Sequence, residues 1–189
     1  MKKHLLISLG LLALLAPASA TAAQQTYTVL LAGGDEANTI KIWLAPGGRQ
    51  YVIDSMALLE IGGSVCAHPD EKSTELVCDA PSIAGFEVNA GGGDDRISVS
   101  NRVSVPVTIR AGGGDDRLSG GSGPDKLIGG EGDDRLMGGR GNDSLFGGEG
   151  DDMLLSGPGN DVLRGGPGND KLIEGPGADA VHAQYIGRS

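Results

Sequence analysis

Aspartate recurs at a fixed interval through the second half of the chain, and regularly spaced carboxylates are suited to binding hard metal cations. In GGEGDDRLM, GGRGNDSLF and GGEGDDMLL, residues 129–155, the sixth position is always Asp and the eighth always Leu. One nine-residue unit begins at residue 90, and eight more follow without a gap from residue 111. The sixth-position residues are Asp95, Asp116, Asp125, Asp134, Asp143, Asp152, Asp161, Asp170 and Asp179. The pattern predicts a metal site that repeats along the chain.

The residues around these aspartates favour calcium. Stacked carboxylates repel one another unless a cation lies between them. Calcium takes about six to eight oxygens and accepts backbone carbonyls, whereas magnesium demands octahedral geometry and keeps its waters. No His or Cys occurs in the turns, which argues against transition metals. The predicted carbonyl ligands belong to the second and fourth positions of the turns: Gly112, Gly114, Gly121, Gly123, Gly130, Gly132, Gly139, Gly141, Gly148, Gly150, Gly157, Gly159, Gly166 and Gly168.

The unit divides into a six-residue turn and a three-residue strand whose eighth position points inward. Glycines at the second and fourth positions allow positive φ, and Asp or Asn at the fifth tolerates the left-handed region. Two units make one coil, so we predict an all-β fold: a right-handed parallel β-roll with a small N-terminal β cap. A flexible Gly/Asp linker is the alternative, but it does not explain an aliphatic residue at one phase only. The eighth-position residues are Ile97, Leu118, Leu127, Leu136, Leu145, Leu154, Leu163, Leu172 and Val181.

The first unit is offset from the others. It begins 21 residues before the second, three more than a coil, so we expect the two turns to stack in one column, with a plain β coil on the opposite side. Turns beginning at residues 90, 111, 129, 147 and 165 then form one column, and those at 120, 138, 156 and 174 form the other. The gaps between neighbouring turns predict up to about seven calcium ions.

Residues 90–182 resemble the RTX repeats of hemolysin-type calcium-binding proteins, whose motif is G-G-x-G-x-D-x-U-x. The units GGEGDDRLM and GGRGNDSLF match every fixed position, whereas Ala90, Ala111, Pro124 and the last unit, EGPGADAVH, depart from it. The resemblance implies that the sixth-position carboxylates and the turn carbonyls bind calcium. It also implies a secreted protein, although type I RTX export uses a C-terminal signal and these proteins usually lack cysteine.

The N-terminus predicts export by another route. Lys2 and Lys3 precede an apolar run over residues 5–16, and Ala18-Ser19-Ala20 offers a cleavage site for a signal peptidase. A transmembrane anchor is the alternative, but about twelve residues are too short for a core of about 30 Å. We therefore predict a signal peptide at 1–20, an N-terminal β segment at 21–89, the roll at 90–182 and a short tail at 183–189. The destination is the extracellular medium, with the periplasm as the alternative.

Two cysteines, Cys66 and Cys78, lie in the N-terminal segment. On an exported chain they predict one disulfide that encloses a polar loop. A zinc site formed by Cys66, His68 and Cys78 is the alternative, and it would need a fourth ligand and a reducing compartment.

Charge and motifs limit the function. The net charge is −10, which argues against nucleic acid as a partner, and we predict none. Neither H-E-x-x-H nor G-x-S-x-G occurs. We therefore predict an exported, non-enzymatic calcium-binding protein. The alternatives are a surface adhesion or self-association module, and an accessory or remnant of a secreted RTX hydrolase.

Two rows of residues on the predicted outer faces could contact a protein partner or a second copy. Apolar ninth-position residues form the first row: Ile128 and Phe146 on one face, and Met137, Leu155 and Ile173 on the other. Cations at the seventh position, interrupted by Met153, form the second: Arg96, Arg117, Arg135 and Lys171. These cations could bind an acidic partner, but we expect them to pair with Glu131, Glu149 and the fifth-position aspartates.

Overall fold

The structure is a computed structural model that describes residues 27–48, 50–55, 66–67, 75–79 and 83–182. The predicted signal peptide, His68 and the tail at 183–189 lie outside the described residues. Within these ranges every regular element is a strand, and no helix is long and apolar enough to cross a membrane. The all-β fold predicted from the sequence is therefore confirmed.

The first of two sheets contains seven strands, all parallel, in the order β1-β6-β8-β10-β12-β14-β16. Its strands are β1 (Tyr27–Ala32), β6 (Ile83–Gly92), β8 (Val107–Gly113), β10 (Lys126–Glu131), β12 (Ser144–Glu149), β14 (Val162–Arg164) and β16 (Ala180–His182). From β10 onward, neighbouring strands pair residues that are 18 positions apart, such as Leu127 with Leu145. Two nine-residue units therefore make one coil, as predicted.

The second sheet contains nine strands in the order β15-β13-β11-β9-β7-β2-β3-β5-β4. They are β2 (Thr39–Leu44), β3 (Gln50–Ser55), β4 (Cys66–Ala67), β5 (Glu75–Asp79), β7 (Arg96–Val99), β9 (Arg117–Ser119), β11 (Arg135–Met137), β13 (Met153–Leu155) and β15 (Lys171–Ile173). The strands from β15 to β2 are parallel, whereas β3, β5 and β4 add in antiparallel fashion beyond β2. These three antiparallel strands form the N-terminal cap, in which Cys66 and Cys78 are Cα partners.

The core is a ladder of aliphatic side chains between the two sheets. The eighth-position leucines are at most 1% exposed from Leu118 to Leu163, and those in neighbouring coils are in register. Burying one leucine contributes roughly 1.5–3 kcal/mol. The ladder continues into the N-terminal coils through Ile40, Phe86 and Val88, which are also buried.

The N-terminal segment supplies coils of its own to the solenoid. Strand β1 pairs in parallel with β6, and β2 pairs in parallel with β7 so that Ile40 lies beside Ile97. The first two repeat turns also stack as predicted, because Arg96 pairs with Arg117 across the 21-residue step. The plain β coil expected between these turns is wrong in part: β7 ends at Val99, β8 begins at Val107, and the residues between them form a turn at 101–102 but no strand.

Candidate metal centre

The sixth-position aspartates lie inside the solenoid. Seven are at most 2% exposed: Asp95, Asp116, Asp125, Asp134, Asp143, Asp152 and Asp161. Asp170 and Asp179, in the last two units, are half-buried. A buried carboxylate is costly unless it is hydrogen-bonded and neutralised by a partner. The structure therefore brings together, in two columns, the nine aspartates that the sequence predicted as site residues.

One oxygen of each buried aspartate accepts a hydrogen bond from the neighbouring coil. The N–H of Asp116 donates to Oδ1 of Asp134 at 2.9 Å, and the N–H of Asp134 donates to Oδ1 of Asp152 at 2.9 Å. The same bond repeats in the other column, where the N–H of Asp125 donates to Oδ1 of Asp143 at 2.8 Å. These bonds fix each carboxylate against the turn of the preceding coil.

The second oxygen has no hydrogen-bond donor in most of the units. Seven Oδ2 atoms are buried without a donor among the described residues: those of Asp95, Asp116, Asp134, Asp143, Asp152, Asp161 and Asp179. Asp125 differs, because the N–H of Gly121 donates to its Oδ2 at 2.6 Å. An unpartnered buried carboxylate oxygen costs free energy unless a proton or a cation binds to it.

These Oδ2 atoms face backbone carbonyls of the next coil. A Cβ added to Gly138 would lie 2.5 Å from Oδ2 of Asp143 and 2.6 Å from the carbonyl oxygen of Ser156. The same pair of a carboxylate and a first-position carbonyl from the next coil surrounds Gly120, Gly129 and Gly147. Two oxygens that converge on one small space repel each other, so the geometry fits a cation there.

The first-position carbonyls are ligand candidates that the sequence prediction missed. The prediction had named the carbonyls of the second- and fourth-position glycines. Each of these glycines stacks closely on the glycine at the same position of the neighbouring coil. For example, a Cβ on Gly141 would lie 2.7 Å from the carbonyl carbon of Gly123. The available signal was the first position itself, which holds Gly, Ala or Ser in eight of the nine units. At Gly120, Gly129, Gly138 and Gly147, even a methyl group would enter the space beside Oδ2.

Burial raises the pKa of these carboxyl groups. It raises the pKa of Asp125 and Asp134 to about 7, and that of Asp116 to about 6, against backbone hydrogen bonds that lower it. Asp143 and Asp152 also reach about 6, and the pKa of Asp95 is raised for the same reason. Neighbouring aspartates add to the rise. Protons and metal ions therefore compete for the same oxygens near neutral pH.

The fifth-position residues have a different role from the one predicted. Among the described residues, only glycines have positive φ, so the expectation that this position uses the left-handed region is wrong. Instead, Oδ1 of Asp115 accepts the N–H of Asp133 at 3.0 Å, and Oδ1 of Asp133 accepts the N–H of Asp151 at 2.9 Å. This ladder runs in the opposite direction to the sixth-position one. It explains Asp or Asn at this position, because both supply Oδ1.

The donor set is oxygen alone. No cluster of three or more His, Cys, Asp or Glu side chains that could hold a metal occurs within the described ranges, so an ion there needs backbone carbonyls as well. Carboxylate and carbonyl oxygens suit calcium, which tolerates irregular coordination by backbone groups. The residues present therefore fit calcium.

The predicted surface rows remain on the outside. Met137 is 49% exposed and Leu155 is 38% exposed, whereas Ile128, Phe146 and Ile173 are half-buried. The Nζ atom of Lys126 lies 5.5 Å from the ring centroid of Phe146.

The cations Arg96, Arg117, Arg135 and Lys171 align across the second sheet, with Met153 in register between the last two. An ion pair joins Arg110 to Glu87 on the first sheet. Within the described residues, no ion pair joins the cation row to Glu131, Glu149 or the fifth-position aspartates, so the predicted pairing is wrong there.

A parallel β-solenoid with carboxylates and carbonyls converging between its coils defines a class of metal-binding β-roll. The family model of the RTX calcium-binding nonapeptide repeat, which spans four copies, matches residues 110–145, 128–163 and 146–181. Residues 110–181 are therefore RTX calcium-binding nonapeptide repeats of the hemolysin type, and they form the β-roll described above. No curated protein and no solved structure matches it.

Proposed function

We propose that the protein is exported and non-enzymatic, and that its roll folds when the repeats bind calcium outside the cytoplasm. The observation that carries this proposal is the set of buried Oδ2 atoms that have no donor among the described residues. The Oδ1 atom of the same carboxylate holds each of them against the neighbouring coil. Calcium binding would neutralise them, and its binding free energy would become folding free energy. In the cytoplasm, where free calcium is scarce, the roll stays unfolded and can be exported.

The ions are held by the nine sixth-position carboxylates together with turn carbonyls. We add the first-position carbonyls to the predicted second- and fourth-position ones, because they face Oδ2 directly at Gly120, Gly129, Gly138 and Gly147. Four gaps therefore have a carboxylate and a carbonyl converging at a glycine, and up to about seven gaps could bind an ion.

Circular dichroism tests the coupling between calcium and folding. We expect the chain in chelator to lack most of its β signal and to gain it on titration with calcium, with a midpoint of about 0.1–1 mM, typical of extracellular modules. Magnesium at the same concentrations is the control and should have little effect. A spectrum that is the same in chelator and in calcium would refute the proposal.

The N-terminal cap stabilises the roll through one disulfide. Pairing of Cys66 with Cys78 across β4 and β5 supports this bond over the alternative zinc site. Thiol titration of the denatured chain should detect no free thiol before reduction and two after it. Two free thiols in the unreduced protein would exclude the disulfide.

Self-association is the second candidate function. Met137 and Leu155 are adjacent in register and exposed on the second sheet, and half-buried Ile173 extends the row. Replacing Met137 and Leu155 with Ser should convert any calcium-dependent oligomer to a monomer in light scattering. The control is Met153→Ser, which changes an exposed apolar residue in the cation row. An unchanged mass would exclude this surface.

A further inference from the structure

The N-terminal coil contains a degenerate repeat that precedes the nine already described. Residues 33–41 read GGDEANTIK, which has glycines at the first two positions and Ile40 at the eighth. The strand pairing confirms this register, because Thr39, Ile40 and Lys41 pair with Arg96, Ile97 and Ser98 of the next unit in the column. Asn38 therefore occupies the sixth position, where every other unit has Asp.

The backbone at Asn38 makes the same contact as the backbone of a sixth-position aspartate. Its N–H donates to Oδ1 of Asp95 at 2.6 Å, just as the N–H of Asp95 donates to Oδ1 of Asp116 at 2.7 Å. Asn38 is 5% exposed. This turn is thus stacked on the column like any other turn, and the difference lies in the side chain at its sixth position.

The side chain places a donor where the other units place Oδ2. Nδ2 of Asn38 donates to the first-position carbonyl of the next unit, that of Ala90, at 3.2 Å, and to the carbonyl of Glu36 at 2.6 Å. A Cβ added to Gly33 would lie 2.7 Å from this nitrogen and would also meet the carbonyl oxygen of Ala90. At Gly138 the equivalent neighbours are Oδ2 of Asp143 and the carbonyl oxygen of Ser156.

We propose that Asn38 closes the first gap of its column without a metal ion, its amide donating to the carbonyl oxygens that calcium would bind elsewhere. A neutral NH₂ group satisfies these oxygens directly, whereas a carboxylate oxygen in the same place would require a cation. The N-terminal coil therefore ends the calcium column and supplies a first turn whose order does not depend on calcium. This inference rests on the proposed calcium binding.

Counting calcium ions by native mass spectrometry of the intact chain tests the inference. Asn38→Asp puts a carboxylate oxygen in the first gap, so we expect one more bound ion than in the wild type. Asn142→Asp is the matched control: it makes the same change in charge at an exposed fifth position, where Oδ1 accepts the N–H of Asn160. Its ion count should equal that of the wild type.

The possible results separate the two proposals. A wild type that binds calcium and a folded Asn38→Asp variant with an unchanged count would overturn the role of Asn38 while leaving calcium binding intact. A wild type that binds no calcium would overturn both. The inference is equally wrong if the Asn142→Asp variant gains the same additional ion.

The converse substitution provides a second test should the Asn38→Asp variant not fold. Asp134→Asn introduces the Asn38 arrangement into a central gap, where Oδ2 of Asp134 has no donor among the residues that the structure describes. We expect at least one ion fewer than in the wild type, with the roll still ordered in calcium. A full ion count, or loss of the fold, would show that an amide does not replace the ion.

Discussion

At the scale of the residue, the two oxygens of each sixth-position aspartate have different tasks. Oδ1 of Asp134 accepts a backbone N–H from the preceding coil, while its Oδ2 is buried with no donor in the described part of the chain. The first oxygen positions the second. The position therefore needs an aspartate. Its side chain is short enough for the carboxylate to accept a hydrogen bond from the neighbouring backbone, and the carboxylate carries the charge that binds an ion.

The pH dependence of stability should reverse when calcium is removed. In chelator, the pKa of Asp134 is raised to about 7 in the folded chain, above that of an unfolded aspartate at about 3.9. Protonation therefore favours the roll: the contribution is complete below about pH 4 and is lost as pH rises through about 7. Circular dichroism in chelator should therefore show more β structure at pH 5 than at pH 8.

With calcium present, the expected trend is the opposite. Protons compete with the ion for the same carboxylates, so the calcium midpoint should rise as pH falls from 8 to 5. A calcium-free roll that becomes more stable between pH 5 and pH 8 would contradict this interpretation of the site.

Adding a single methyl group should damage one gap. In Gly138→Ala the new Cβ would lie 2.5 Å from Oδ2 of Asp143 and 2.6 Å from the carbonyl oxygen of Ser156. We expect a loss of about 1–3 kcal/mol in calcium-dependent stability, from overpacking and displaced ligands. Gly113→Ala is the control, since nothing lies within 4 Å of its Cβ. Calcium titrations with equal midpoints for both variants would argue against a site at Gly138.

At the scale of the element, the sequence repeat predicts the strands fully but the turns only in part. The phase of Leu127, Leu145 and Leu163 was enough to predict the in-register ladder, because one inward residue per short strand must stack on its equivalent. The fifth-position ladder was not predictable from the sequence. Its direction depends on how neighbouring turns stack, and the residue type alone fits either a bond across coils or a left-handed turn.

The repeat at residues 33–41 escaped detection for a physical reason. Glu36, Ala37 and Asn38 replace the glycine, the Asp or Asn and the aspartate that define the motif, which leaves only two glycines and Ile40. Its neighbour in the column begins at Ala90, within β6 and after the antiparallel cap strands. Sequence spacing between the two units therefore carried no periodic signal, and only the pairing of β2 with β7 reveals it.

Removing one core leucine should cost more than removing an exposed side chain of similar size. Leu145 is fully buried between coils, so Leu145→Ala should lower the free energy of unfolding by about 2–5 kcal/mol. Met137→Ala, at 49% exposed, should change it by less than about 0.5 kcal/mol. Urea unfolding in saturating calcium measures both. Equal losses would show that the leucine ladder does not form the core.

At the scale of the whole molecule, the acidic residues are unevenly distributed between the two turn columns. Exposed fifth-position aspartates occupy one column, at Asp94, Asp115, Asp133 and Asp151, whereas the other has Pro124, Asn142, Asn160 and Ala178. Together with the buried carboxylates, this gives one edge of the roll most of its negative charge. Ordering a glycine-rich chain also costs entropy, so neutralisation by cations should decide whether the roll forms.

Hydrogen exchange of the intact chain, compared in calcium and in chelator, tests the coupling of calcium to folding most directly. We expect amides in residues 110–182 to be strongly protected in calcium and to exchange rapidly in chelator. Magnesium should give the chelator pattern. Strong protection of residues 110–182 in chelator at pH 8 would mean that the roll folds without the ion, which would contradict the coupling of calcium binding to folding.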